Sequence, residues 1–284
     1  ANGMAGLTVP AVFGKARGIE IIPMYFELDG SFPNHEANPL EPANLVDLQA
    51  AVLREHADLG LAFDGDADRC FVIDELGQPV TPSAVAAMVA KREIVRVRNS
   101  GETGPIPVLH NLLCSRTVAE IIAENGGVPI RTRVGHSLIK DQMKKTGAIF
   151  GGEHSAHYYF AEFWGADNGM LAALHVIAEV RARTEALSTI AQEYSRYVES
   201  GEINTTVEDQ ELVIAKILDV FGSRGEQDSL DGLTMSGVTP EGWWWLNVRG
   251  SNTEPLLRLN VEAETSSLMQ SVRDEALALI RATG

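Results

Sequence analysis

The sequence has 284 residues, of which 45% are hydrophobic and 22% are charged, and this is enough material for two or three packed domains. Acidic residues outnumber basic ones by 39 to 23, and the resulting net charge of −16 disfavours nucleic acid and anionic membrane surfaces as partners. Two cysteines outside any Cys-x-x-Cys pair, no long apolar run and no secretory signal pattern indicate a cytoplasmic protein without a membrane span in this sequence.

The first predicted elements lead into an acidic loop. The sequence starts Ala1-Asn2-Gly3-Met4, without an initiator methionine and with turn chemistry that normally follows a strand, so we expect it to begin inside a domain. Apolar residues at helical spacing between residues 45 and 53 predict a helix. The apolar run Leu59–Phe63 predicts a strand that ends at Asp64.

Strands and helices alternate in the middle of the sequence. We predict strands at residues 106–109, 128–133 and 148–150, with helices that begin at Ser115 and near residue 137. Two further helices are predicted, one from residue 167 and one over residues 185–198. Repeated alternation of this kind predicts layered α/β domains.

The last part of the sequence has a different order of elements. Residues 200–210 are acidic and polar and are interpreted as a linker. The elements predicted after it are a helix at residues 212–221, strands at residues 243–248 and 256–262, and a helix at residues 266–281. This order predicts a small α+β domain.

The acidic loop, Asp64-Gly65-Asp66-Ala67-Asp68-Arg69, carries three carboxylates at alternate positions after a predicted strand. Each close pair of carboxylates repels by about 4 kcal/mol at an effective dielectric constant near 20, so this crowding favours a bound cation. Magnesium suits the site because it prefers oxygen ligands and shares them with substrate phosphates. The alternatives are a solvated acidic turn or a calcium loop; Glu75 fits the twelfth calcium position, but Arg69 replaces the required glycine.

A second motif, the Gly-His loop, is Gly151-Gly152-Glu153-His154-Ser155-Ala156-His157. Glu153, Ser155 and His157 alternate and can point the same way, which offers an acceptor, a hydroxyl and an imidazole to a polyhydroxylated ligand. A zinc site, a serine nucleophile and a purely structural loop are alternatives. The sequence has neither an H-E-x-x-H helix nor a G-x-S-x-G turn at this place.

The third motif, the arginine loop, is Arg249-Gly250-Ser251-Asn252-Thr253-Glu254-Pro255 between two predicted strands. Its guanidinium, hydroxyls, amide and backbone N–H groups suit a phosphate, and Arg258 lies on the polar face of the following strand. A local basic site of this kind overrides the overall negative charge over a few ångströms. The alternative is a polar hairpin turn.

Taken in this order, the three loops resemble those of the α-D-phosphohexomutases, a family that includes phosphomannomutases and phosphoglucomutases. The resemblance covers essentially the whole sequence and extends to Val134-Gly135-His136-Ser137-Leu138-Ile139-Lys140. It implies the α/β class, with two related layered α/β domains, the first incomplete, followed by a small α+β C-terminal domain. The expected boundaries are residues 1–76 for domain 2 with the acidic loop, 77–198 for domain 3 with the Gly-His loop, and 199–284 for domain 4 with the arginine loop.

The resemblance also implies a role for each candidate residue. Asp64, Asp66 and Asp68 would bind Mg²⁺, with Arg69 near the phosphoryl group, while Glu153 and Ser155 would bind sugar hydroxyls. His157 and His136 are candidates for proton transfer, and a buried structural role is the alternative for either. The residues expected to hold the phosphate that is not transferred are Arg249, Ser251, Asn252, Thr253 and Arg258.

The implied reaction interconverts hexose 1-phosphate and hexose 6-phosphate through a hexose 1,6-bisphosphate. In the family, an N-terminal domain carries a phosphoserine in a Ser-His-Asn-Pro type loop, and no such loop occurs in these 284 residues. We therefore expect this chain to need that missing N-terminal domain and to be inactive alone. Two alternatives remain: a non-catalytic phosphosugar-binding protein, and a phosphatase of the haloacid dehalogenase type in which Asp64 is the nucleophile.

Overall fold

The computed structural model describes residues 1–251 and 255–282, with nine helices and fourteen strands among them. The helices are α1 (Ala5–Phe13), α2 (Val46–Glu55), α3 (Pro82–Asn99), α4 (Arg116–Glu124), α5 (His136–Thr146), α6 (Gly169–Arg181), α7 (Leu187–Gln192), α8 (Gln210–Phe221) and α9 (Ser266–Arg281). The strands are β1 (Leu59–Phe63), β2 (Cys70–Asp74), β3 (Pro79–Val80), β4 (Pro107–Asn111), β5 (Val128–Thr132), β6 (Phe150–Gly152), β7 (Tyr158–Phe160), β8 (Ala166–Asp167), β9 (Val198–Glu199), β10 (Ile203–Thr206), β11 (Glu226–Asp228), β12 (Leu233–Thr239), β13 (Gly242–Gly250) and β14 (Leu256–Ala263). None of these helices is long and apolar enough to cross a membrane.

The chain divides into two compact units, a first unit over Ala1–Ser195 and a second unit over Arg196–Gly284. The first unit contains an antiparallel sheet in the order β1-β2-β3 and a five-stranded sheet in the order β5-β4-β6-β7-β8. Strand β4 pairs in parallel with both β5 and β6, and β7 and β8 add antiparallel pairs at one side. The first unit is therefore of the α/β class, as predicted.

Helix α3 lies at the centre of the first unit. Thr81 caps its N-terminus by accepting a hydrogen bond from the Ala84 N–H, and Pro82 occupies the first turn, where no N–H is needed. Eight consecutive residues from Ser83 to Ala90 are buried, so the first half of the helix is covered on all sides. A segment that is buried all round lacks the one-sided apolar pattern that marks a helix in sequence, and this explains why the start of α3 was not predicted.

The second unit is an antiparallel sheet in the order β10-β14-β13-β12-β11, with β9 also paired to β14. Helices α8 and α9 pack with it around one apolar cluster that contains Trp244 and Phe221. Along β14 the core-facing residues alternate with Arg258 and Asn260, which lie on the other face. This agrees with the predicted small α+β domain.

Most predicted elements appear within two or three residues of their expected ends. The helix predicted over residues 185–198 is an exception, because only Leu187–Gln192 is helical. Ile190 and Tyr194 are buried at helical spacing, but the first unit ends at Ser195 and Val198 joins a strand that pairs with β14. The apolar residues keep helical spacing beyond Ser195, where the chain leaves the first unit and enters the sheet of the second. The prediction of a helix up to residue 198 was therefore wrong.

Candidate functional site

The acidic loop connects β1 to β2, whose residues pair in register from Leu59 opposite Asp74 to Phe63 opposite Cys70. The hairpin brings the six loop residues into a tight turn in which Ala67 has a φ of 63°. This left-handed conformation costs a non-glycine residue about 1–2 kcal/mol, and it is stable here because Ala67 is buried. Gly169 at the start of α6 lies against the turn, and a Cβ there would come within 2.6 Å of the Arg69 carbonyl oxygen.

The three carboxylates of the acidic loop each offer an oxygen within 4.8 Å of the other two. Arg69 balances only Asp64: its Nε donates to Asp64 Oδ2 at 2.7 Å, and its backbone N–H donates to Asp64 Oδ1 at 3.2 Å. Burial, followed by the charge of Asp64, raises the pKa of Asp68 to about 7. Asp68 Oδ1 is itself buried and accepts no hydrogen bond from any residue that the structure describes.

These observations test whether the loop suits a metal ion. The donors are all hard oxygens, they converge, and their negative charge is only partly balanced by Arg69. A small divalent cation such as Mg²⁺ would supply the missing positive charge and accept these oxygens as ligands. The residues present therefore fit Mg²⁺.

The Gly-His loop is a turn between β6 and β7. It closes through backbone hydrogen bonds from the Glu153 N–H to the His157 carbonyl at 3.0 Å and from the Ala156 N–H to the Glu153 carbonyl at 3.1 Å. Ala156 has a φ of 66° and is fully buried, so this loop, like the acidic loop, holds an alanine in the left-handed region. The two glycines before Glu153 belong to β6 and are buried in the sheet.

The side chains of the Gly-His loop form one polar cluster. Ser155 Oγ lies 3.0 Å from Glu153 Oε2, to which it donates, and 3.0 Å from His157 Nδ1. The expectation that these three alternate residues point the same way is confirmed. Glu153 is 3% exposed, whereas Ser155 and His157 are half-buried. The hydroxyl and the imidazole are therefore the groups of this cluster that solvent or a ligand can reach.

The acidic loop and the Gly-His loop lie against each other within the first unit. Arg69 and His157 form an antiparallel backbone bridge, and the Cys70 N–H donates to the Ala156 carbonyl at 3.4 Å. His157 Nε2 lies 3.8 Å from Asp68 Oδ1. Carboxylates, hydroxyl and imidazole from two distant stretches of sequence therefore form one site.

Two further residues complete this site and were not predicted. Asp167 Oδ2 lies 4.0 Å from His157 Nε2. Asp167 Oδ1 forms an ion pair with Lys140 Nζ at 2.7 Å. Asp68, His157 and Asp167 together are a second group that could hold a metal ion. In sequence, Asp167 is marked only as a polar residue before a helix, which is too common a signal to identify it.

The other histidines of these motifs have separate positions. The Nδ1 of His154 lies 3.0 Å from Ser83 Oγ at the start of α3, and neither possible metal group among the described residues includes it. The alternative of a zinc site built from His154 and His157 is therefore not supported. His136 is the first residue of α5, after Gly135, and its side chain lies outside the described part of the structure.

The arginine loop connects β13 to β14 in the second unit. Arg249 and Arg258 lie directly opposite each other on the two strands, and both contact Glu202. The Ser251 N–H donates to the Leu256 carbonyl at 2.9 Å, which closes the base of the loop. Asn252 and Thr253 lie outside the described residues.

Comparison with known families gives three matches in sequence order. Models of the phosphoglucomutase/phosphomannomutase family match residues 1–77 as alpha/beta/alpha domain II, residues 81–197 as alpha/beta/alpha domain III, and residues 202–279 as the C-terminal domain. Each of the three loops falls within a different match.

Individual relatives agree with the family models. A phosphomannomutase/phosphoglucomutase of Pseudomonas aeruginosa is 37% identical over 276 residues, covering 96% of this chain and 57% of the relative. A phosphomannomutase of Methanocaldococcus jannaschii is 37% identical over 252 residues, covering 89% of this chain and 54% of the relative. The chain thus spans a little over half the length of the curated relatives it matches.

A solved structure shows the same fold. A phosphoglucomutase/phosphomannomutase family protein from Burkholderia thailandensis superposes with a TM-score of 0.83 at 30% identity, covering 99% of this chain and 59% of that one. The predicted combination of two layered α/β domains and a smaller α+β domain is that of the family.

Proposed function

Because the chain belongs to the phosphoglucomutase/phosphomannomutase family, we propose that it provides the metal, sugar and phosphate sites of a phosphosugar mutase. The reaction interconverts hexose 1-phosphate and hexose 6-phosphate through a hexose 1,6-bisphosphate, which also acts as the activator. The observation that carries this proposal is the pairing of the acidic loop with the Gly-His loop, with His157 Nε2 3.8 Å from Asp68 Oδ1.

In this proposal Asp64, Asp66 and Asp68 hold Mg²⁺. When bound, the ion neutralises charge on the phosphoryl group that is transferred. Arg69 keeps the Asp64 carboxylate in place through its Nε and balances part of the negative charge of the three ligands.

Glu153 and Ser155 bind sugar hydroxyls, and His157 moves a proton. Ser155 has a single hydroxyl hydrogen, and when it donates to Glu153 its oxygen accepts from His157 Nδ1–H. The neutral ring then presents Nε2 as the proton acceptor, on the side that faces Asp68. His136, at the start of α5, is a second candidate for proton transfer because its sequence motif resembles that of the family.

The arginine loop holds the phosphate that is not transferred. Arg249, Ser251 and Arg258 supply a pair of guanidinium groups and a hydroxyl, and Asn252 and Thr253 are assigned to the same ligand from the sequence motif. The phosphoserine is supplied by polypeptide other than these 284 residues. We place the reaction in the cytoplasm, since neither Cys70 nor Cys114 forms a disulfide.

The test is a coupled mutase assay with glucose 1-phosphate and mannose 1-phosphate in the presence of Mg²⁺ and the matching 1,6-bisphosphate. The chain is assayed alone and joined to the phosphoserine-bearing domain of a relative. Activity that requires both the added domain and Asp66 supports the proposal. Equal activity from the chain alone contradicts the assignment of the phosphoryl donor.

A further inference from the structure

The two arginines of the phosphate site occupy an unfavourable arrangement. Arg249 on β13 and Arg258 on β14 are direct cross-strand partners in an antiparallel ladder. Like charges at directly opposite positions repel and destabilise a sheet. In addition, the Nε of each is buried and has no hydrogen-bond acceptor among the described residues.

One carboxylate lies between these two guanidinium groups. Glu202 Oε2 accepts from Arg249 Nη2 at 2.9 Å, and Glu202 Oε1 accepts from Arg258 Nη1 at 2.8 Å. Each carboxylate oxygen therefore binds a different arginine. The contact uses one Nη of each guanidinium, and the three charges together leave a net charge of +1.

A β-bulge explains how Glu202 reaches this position. Strand β9 pairs Glu199 with Glu262, and β10 pairs Ile203 with Leu259, so three residues on one side oppose two on the other. The extra residue reverses the alternation, so that Ile203 joins Val198 against the core and Glu202 turns to the face that carries the arginines.

The bulge contains Gly201, whose φ of 69° is the left-handed conformation that glycine adopts without strain. It is fixed to β14 at Ser200, because the Ser200 N–H donates to the Val261 carbonyl at 2.8 Å and Ser200 Oγ accepts from the Val261 N–H at 2.9 Å. Bulges re-aim side chains next to functional sites. The carboxylate is thus held by backbone geometry rather than by the arginines alone.

We propose that Glu202 is a positioning residue that holds Arg249 and Arg258 together, ready for a phosphate group. This rests on the proposed function only in identifying the bound group as a phosphate ester. The carboxylate bridge keeps two long, mutually repelling side chains in one orientation. Each guanidinium retains donors that Glu202 does not use, and these donors together with the remaining charge of +1 favour an anionic phosphate group.

The test measures inorganic phosphate binding to the full chain by nuclear magnetic resonance. The Nε–Hε signals of Arg249 and Arg258 are identified by Arg→Lys substitution and followed as phosphate is added. Glu202→Gln is expected to weaken phosphate binding by about five-fold or more, because binding must then order two rotamer-rich side chains. Glu241→Gln is the matched control, since it removes one exposed carboxylate from the β12–β13 turn of the same unit.

Two further variants separate positioning from general destabilisation. Glu202→Asp keeps the charge but shortens the side chain, so it too should weaken binding in a unit whose charge is unchanged. In an Arg258→Gln background, Glu202→Gln should have little additional effect on phosphate affinity, because the pair it orders is already broken. A merely structural residue would weaken binding by the same factor in both backgrounds.

Unchanged or tighter phosphate binding in Glu202→Gln overturns the proposal, because the carboxylate would then be neutral or competing with the ligand. The absence of any phosphate-dependent shift at either arginine in the unmodified chain overturns it as well. Glucose 6-phosphate is titrated in parallel. A chain that binds inorganic phosphate but not glucose 6-phosphate counts against the proposed function and leaves the result for Glu202 intact.

Discussion

The acidic loop of the first unit and the arginine pair of the second present the same electrostatic problem with opposite sign. In the first, three carboxylates converge and Arg69 pairs with only one of them. In the second, two guanidinium groups converge and Glu202 pairs with both. In the proposed function the first site takes a cation from solution as its counter-ion, whereas the second has a counter-ion built into the fold.

The two units also differ in how they respond to acid. All seven histidines of the sequence lie in the first unit, and the second unit contains none. The imidazole, the side chain whose ordinary pKa lies closest to neutrality, is thus available for proton transfer only in the first unit.

The largest effect is expected from removing one carboxylate of the acidic loop. Asp66→Asn should weaken binding of Mn²⁺, used as a spectroscopic substitute for Mg²⁺, by about 100-fold or more, since even changes behind the ligands cost about 10- to 100-fold. Phosphate binding by the second unit should not change. Electron paramagnetic resonance measures free Mn²⁺ directly, and Asp58→Asn, which removes an exposed carboxylate just before β1, is the control. Equal Mn²⁺ affinity in the two variants would refute the metal assignment.

The reciprocal change in the second unit should have the next largest effect. Arg258→Gln removes a charge-assisted contact and should weaken inorganic phosphate binding by about 10- to 100-fold, while Mn²⁺ binding by the first unit stays the same. The control is Arg273→Gln on α9, where the arginine pairs with its neighbour Asp274. Loss of both phosphate binding and Mn²⁺ binding would show that the variant had unfolded rather than lost its phosphate site.

A smaller effect is expected from the hydroxyl at the centre of the Gly-His loop. Ser155→Ala removes the contacts that join Glu153 to His157 and should weaken glucose 6-phosphate binding by about three- to ten-fold. Inorganic phosphate binding should be unaffected, because it involves the second unit. Calorimetric titration with both ligands gives the comparison, with Ser271→Ala on α9 as the control. Equal loss for both ligands would argue against a sugar-specific role.

The smallest expected effect is on stability, and it concerns the first unit only. Burial lowers the pKa of His110 to about 4, from an ordinary value near 6.5. The unfolded chain therefore binds a proton that the folded chain does not, so this contribution to stability is complete above pH 6.5 and is lost as the pH falls towards 4.

Calorimetric melting curves test whether stability falls with pH in this way. Between pH 7 and pH 5, His110 should lower the free energy of unfolding by about 2 kcal/mol, and Tm should fall by several degrees more than in His110→Gln. His56→Asn, a change at an exposed histidine with left-handed backbone, should keep the acid sensitivity of the unmodified chain. If Tm falls equally in His110→Gln and in the unmodified chain, the acid sensitivity does not come from His110 and the prediction is contradicted.

The local features of both sites could be predicted from the sequence, because they depend on neighbouring residues. Alternating carboxylates after an apolar run identified the acidic loop, and alternation in the Gly-His loop predicted the common direction of Glu153, Ser155 and His157. The capping of α4 by Ser115 was predicted in the same way and is confirmed.

The long-range features could not be predicted. The backbone bridge between Arg69 and His157 joins residues 88 positions apart, and no periodicity within either loop encodes it. The role of Glu202 is harder still to predict, because the face to which its side chain points depends on one extra residue in the β9–β10 stretch relative to β14. Gly201 is the only local sign of this bulge in the sequence. Lys140 and Asp167 join the site only through the packing of α5 and β8.

The central claim is that the acidic loop and the Gly-His loop form one site that binds a metal ion and a sugar together. The most direct measurement is the paramagnetic relaxation of the sugar protons of glucose 6-phosphate by Mn²⁺ bound to the chain. We expect strong relaxation that disappears in Asp66→Asn and weakens in Ser155→Ala. Sugar binding of normal affinity without Mn²⁺-dependent relaxation would place the two ligands apart and contradict the account.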